Sequence, residues 1–191
     1  MTIPAILKRV QDNGYVIFTS GQYNLNIIGV RTSSRESNTF NDWLHVVYKD
    51  EADQWVDIQY QITTDPGLYW LENPSRVAGT AILVAGQYRG SHKIGLHKGQ
   101  YEALVQVRKV KVYRDNNRND ILDMNPDTIQ EGYFGINIHR ASATRESTYV
   151  NKWSAGCQVF ANPNEYEMFI SLCKRASEKW GDTFTYTLLE D

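Results

Sequence analysis

The chain has 191 residues, 41% hydrophobic and 12% aromatic, which excludes an intrinsically disordered protein and suffices for one core around a concave site. Twenty Lys and Arg against twenty-two Asp and Glu leave a formal charge of -2 with no basic stripe, so no nucleic acid is expected as a partner. No stretch approaches the roughly 18 apolar residues of a membrane span, so no membrane insertion is expected, and residues 1–191 are expected to form a single domain.

In chain order, a short helix comes first, with Thr2 as its cap, Pro4 in its first turn and Asn13-Gly14 as its stop. Runs rich in Val, Ile, Tyr and Trp then predict strands over 15–20, 23–31, 43–48, 54–63, 80–88 and 103–113, punctuated by turn residues such as "TTDPG" at 63–67. The polar segment "DNNRNDILDMNPD" at 115–127 raises the question of calcium, because Asp115, Asn117, Asn119 and Asp123 offer oxygens at alternate positions. Asp120 replaces the glycine of an EF-hand loop and Pro126 its bidentate Glu, which favours a solvated loop.

Two more strands, over 134–139 and 157–161, flank a long polar loop. The strongest helix follows, capped by Asn162, opened by Pro163, supported by Glu165 as capping-box partner and stopped by Gly181. Within it, Cys173 recurs with Tyr166, Phe169, Ala176 and Trp180 at helical spacing and reads as a core thiol. "TFTYTLLE" supplies a last strand, so the expected fold is mainly β with one long helix in the C-terminal half, an α+β arrangement.

Chemistry concentrates in "GINIHRASATRESTYVNKWSAGCQVF", residues 135–160, where His139 precedes Cys157 by 18 positions. A nucleophilic cysteine needs a base, partial exposure and donors for the oxyanion formed on a substrate carbonyl. Gly156 lets a substrate or backbone approach the sulfur, while Ser154 and the amides around Cys157 are candidate donors. The same residues taken alone also fit a buried thiol and a structurally bonded imidazole. The sequence has only two cysteines, too few for a disulfide framework or a Cys-rich zinc site.

The pattern "HR", a gap, then "SAGC" resembles the signature of the L,D-transpeptidase (YkuD-like) catalytic domain. That resemblance implies a β-sandwich or barrel-like fold without a cofactor, with Cys157 as nucleophile and His139 as base. It places Ser154 and Gly156 at the flanking positions and Arg140 where a backbone carbonyl orients the imidazole. Ala155 stands where the family carries a second histidine, and "CQVF" replaces its usual continuation, which bears on substrate contact at Ala155 and Gln158. The implied reaction is attack on a peptidoglycan stem peptide through a thioester, resolved by an amine to a crosslink or by water to cleavage. The N-terminus carries no secretory signal, which points to a phage or prophage component. Such a protein would sit in the particle, with other virion proteins as partners, or in the bacterial cytoplasm before release, and would act in the cell wall. That context favours cleavage over crosslinking.

Arg140 and Arg145 are candidates to pair with a substrate carboxylate, against the plainer reading of solvated charges. A second patch, "GQYRGSHKIGLHKGQYEAL" at 86–104, offers Gln87, Tyr88, His97 and Tyr101 as cleft walls, against a plain hairpin. His92 and His97 also suggest a zinc peptidase, but no acidic residue intervenes before Glu102 and the spacing fits no zinc-enzyme pattern, so no metal is expected. The competing reading from another class is a structural or wall-binding part of a phage particle, which keeps the fold without turnover.

Overall fold

The computed structural model describes residues 2–191. Its first helix, α1 (Ala5–Asp12), is capped by Pro4 rather than Thr2, without a side-chain cap. The buried face of α1, Ile6, Leu7 and Val10, packs on Ile28, Val30, Val47 and Leu189. The expected strand over 15–20 pairs with no other strand: Gln87 bonds both backbone groups of Val16, and Asn26 bonds both of Phe18. Side-chain amides do there what a ladder would have done.

Eight strands close a barrel in the order β1 (Asn26–Arg31), β11 (Thr183–Glu190), β5 (Gly86–His97), β6 (Tyr101–Gln106), β9 (Ile138–Arg140), β10 (Gln158–Phe160), β3 (Trp55–Thr63), β2 (Asp42–Lys49). Closure removes the exposed edges an open sheet would leave. A separate three-stranded sheet holds β4 (Thr80–Leu83), β7 (Val110–Asp115) and β8 (Gln130–Gly132). The single strands expected over 80–88 and 103–113 are therefore each two, because the chain leaves one sheet for the other at 84–85 and 107–109. A short helix, α2 (Leu68–Glu72), was not foreseen in the turn-rich segment after "TTDPG".

The long helix α3 (Pro163–Trp180) follows the sequence reading: the Asn162 side chain accepts from the amides of Asn164 and Glu165, and Gly181 ends it at φ 83°. Its Tyr166, Phe169 and Cys173 join the largest core cluster, in which Tyr60, Phe160 and Phe169 meet ring to ring. Cys173 is fully buried there. Between the barrel and the small sheet lies the buried Arg31–Asp65 ion pair, with the exposed Glu190 at its edge. Arg31 pairs with Asp65 at 2.9 Å and with Glu190 at 3.1 Å, and it donates to Thr64 Oγ1 and the Leu83 carbonyl. Among the described residues no helix is long and apolar enough to cross a membrane.

Candidate active site

β9 and β10 run parallel, with Ile138 opposite Gln158 and His139 opposite Val159, so the two ends of the long loop lie side by side. Cys157 comes one residue before β10, level with Asn137, whose carbonyl accepts from Gln158 N at 2.9 Å. Period-two alternation puts Asn137 and His139 on one face. Cys157, Asn137 and His139 open together into a cavity of about 300 Å³, whose walls include Lys98, Lys152, Trp70 and Trp153. A second hollow of about 520 Å³ shares His139, His97 and both lysines and adds Tyr101 and Arg140. The two are compartments of one cleft, and no acidic residue lines either.

The imidazole of His139 is fixed. Its Nδ1 lies 2.8 Å from the Arg140 carbonyl, an acceptor only, so Nδ1 carries the proton and Nε2 keeps its lone pair. Tyr101 donates to the same carbonyl at 3.2 Å, and the Arg140 guanidinium lies over the Tyr101 ring at 4.1 Å. His97 stacks on His139 with centroids 4.0 Å apart, and its Nδ1 accepts from the Asn137 side chain at 3.1 Å. Burial first, then the neighbouring His97, pushes His139 down to about 3, while burial and Lys98 push His97 down to about 4. Both rings are neutral at neutral pH.

The thiol is neutral too. Burial pushes Cys157 up to about 11, although the Asn137 amide and Lys98 act the other way. Its Sγ donates to the Gly135 carbonyl at 3.2 Å and receives the Asn137 N–H at 3.4 Å. No hydrogen bond joins Sγ to the His139 ring. No protein-family model, curated protein or solved structure matches the chain.

Other candidates from the sequence divide by position. Ser154 is buried, donating to the Cys157 carbonyl at 2.9 Å and accepting from Gly156 N at 3.1 Å, so two of the three groups expected at an oxyanion, the Ser154 hydroxyl and the Gly156 amide, are engaged in the turn. Gly156 serves packing: it sits at φ 117°, and a Cβ there would run into the Ala81 carbonyl. Ala155 is exposed on the cavity rim. Gln158 points into the interior instead of toward a substrate, accepting from the Tyr186 hydroxyl at 2.7 Å. Gln87 and Tyr88 also lie outside the cleft, bound to Val16 and to the Val84 carbonyl, because the β5 strand that carries them reaches the site only at its far end.

That far end holds His97, and with Tyr101 it does form the wall. Arg145 is exposed in a neighbouring hollow with Glu146 and Tyr149, apart from the sulfur. His92 is buried between Ser91 and the Ile136 carbonyl, 2.8 Å from each. Among the described residues no three His, Cys, Asp or Glu side chains gather as for a metal ion. Sequence reasoning missed Asn137, Lys98, Lys152 and Trp153. Asn137 was findable, since it stands two residues before His139 and shares its face; the lysines and Trp153 carry no local signal.

Proposed function

We propose that the chain is a cysteine-dependent enzyme of the peptidoglycan stem peptide, similar to the L,D-transpeptidases and delivering the acyl group to water. The observation that carries this reading is the one cavity lined by both a partly exposed thiol and an imidazole whose Nε2 is free and whose Nδ1 is held by the backbone. With both groups neutral at rest, attack is general-base catalysed. Nε2 takes the thiol proton as sulfur bonds to the substrate carbonyl carbon. The carbon–nitrogen bond then breaks, and the imidazolium returns the proton to the departing amine. Water, deprotonated by the same Nε2, hydrolyses the thioester and regenerates the thiol.

Lys98, Lys152 and Arg140, in a cleft without carboxylates, match a substrate bearing free carboxylates, as stem peptides do. The small, exposed Ala155 leaves the rim beside the sulfur open to water, which favours cleavage. With Ser154 Oγ and Gly156 N–H engaged, the Cys157 amide is the remaining local donor for the oxyanion.

The test is mass spectrometry of purified sacculi and defined stem peptides incubated with wild type and with Cys157→Ala. New cleavage products from wild type alone support the reading; substrates left intact by wild type sink it. The bond from Sγ to Gly135, rather than to His139, favours a second reading in which the cleft binds wall peptide without turnover. Co-sedimentation with sacculi in the absence of products would point there.

A further inference from the structure

The segment following β7 contains a feature the cleft does not use. Asp115 is only 1% exposed, and one of its carboxylate oxygens, Oδ1, is buried with no hydrogen-bond partner. Its other oxygen accepts from Asp123 N at 2.9 Å, which turns the carboxylate into the loop. Among the described residues no Lys, Arg or His lies within ion-pair distance of Asp115, Asp120 or Asp123. A buried carboxylate oxygen with neither donor nor counter-charge is an exception that calls for an explanation, and an ion is one of the standard ones.

The rest of the loop is built to supply it. Asn117 donates to Asp123 Oδ2 at 2.5 Å, which brings the second carboxylate toward the first, and its Oδ1 accepts from Asn119 N at 3.1 Å. Asn119 Oδ1 accepts from Ile121 N at 2.9 Å, so both exposed amide oxygens are held by the backbone of the turn, each with a second lone pair left over. Leu122, buried with Leu71 and Ile82, and Met124, packed against that cluster, fix the loop to α2 and β4.

We propose that residues 115–123 form a calcium site, with Asp115 and Asp123 as carboxylate donors and Asn117 and Asn119 as amide-oxygen donors. Asp120 and Pro126 at the positions of the EF-hand glycine and glutamate rule out that motif, and the site is an irregular one. Two carboxylates and neutral oxygens on a surface loop suit the flexible, oxygen-rich coordination of calcium better than the rigid octahedron of magnesium, with affinity in the range of about 10⁻⁴–10⁻³ M. The loop also touches the route to the cleft. Ser37 N bonds the Asp120 carbonyl at 3.3 Å, and neighbouring Asn38 bonds Asn151, the residue before Lys152.

The test uses the full chain, stripped with chelator and dialysed. Terbium luminescence excited through Tyr113 should appear and be displaced by calcium. Calcium at about 10 mM should raise the melting temperature by several degrees, and magnesium at the same concentration by less. Asp115→Asn and Asp123→Asn should each abolish both responses. Asn119→Ala, at an exposed position, should weaken terbium binding several-fold while the protein stays folded. Absence of both the terbium signal and the calcium shift in wild type overturns the proposal. So does a calcium response that persists in both aspartate variants.

Discussion

Alkylation of Cys157 in the native protein tests the resting state of the cleft most directly. With the thiol held up to about 11, roughly 10⁻⁴ of it is thiolate at pH 7, against a few per cent for a free cysteine near 8.5. That is a deficit of about 300-fold. The more basic thiolate is also the better nucleophile, and a Brønsted slope of about 0.4–0.5 recovers roughly tenfold. Cys157 should therefore react with iodoacetamide about 30-fold more slowly than a small peptide thiol at pH 7, before any loss from its partial burial. Intact-mass measurements between pH 7 and 10 should show the rate rising about tenfold per pH unit. Cys173, fully buried and pushed up by that burial, should add nothing until the protein unfolds, so a Cys157→Ser variant should stay unlabelled. Because the shift comes chiefly from burial, His139→Gln should leave the profile in place. A rate at pH 7 equal to or above that of the peptide thiol, or a profile flattening below pH 8, would mean a preformed thiolate–imidazolium pair and would refute the neutral resting state.

Four further outcomes follow from the geometry. His139→Gln should lower turnover of a stem peptide by at least about 10²-fold in a mass-spectrometric time course, the usual worth of a general base. Arg31→Met leaves Asp65 and Asp42 without their buried cation and should cost about 3–5 kcal/mol in urea denaturation. Gly156→Ala meets both a left-handed backbone and the Ala81 carbonyl, and should lower stability by at least about 2 kcal/mol in the same assay. Stability should fall as pH drops from about 6.5 toward 4, because burial holds His92 and His97 down at about 4, so the unfolded chain takes up protons first. Asp65, which burial raises to about 6, acts in the opposite sense over that range; the difference in urea midpoint between wild type and His92→Gln isolates the imidazole contribution.

The regular elements that obey one local rule were legible in the sequence. α3 carries its own cap, first-turn proline and stop, and its apolar stripe is periodic, so neither end depends on the rest of the chain. β2 and β3 were placed to within a residue at each end, because an apolar run bounded by turn residues has few alternatives. The runs over 80–88 and 103–113 misled because apolar content does not record where a chain changes sheets, which is decided by partners far away in sequence. Residues 15–20 misled for a related reason: strand-like side chains do not guarantee a backbone partner, and Gln87 and Asn26 supplied one through their side chains.

For the site, residue types put Cys157 and His139 forward without deciding between a nucleophile with its base and a buried thiol with a structural imidazole, and it was the resemblance to the L,D-transpeptidase signature that implied their roles and an orienting carbonyl at Arg140. A single strand's alternation also pairs Asn137 with His139. Whether those residues meet was decided by the tertiary structure, since the parallel pairing of β9 with β10 joins segments 18 positions apart and barrel closure brings the far end of β5 beside them. The same closure set the chemistry of the groups it gathered. Burial is a property of the packed molecule, and it is burial that leaves the thiol protonated, the imidazoles neutral and Gln158 turned inward.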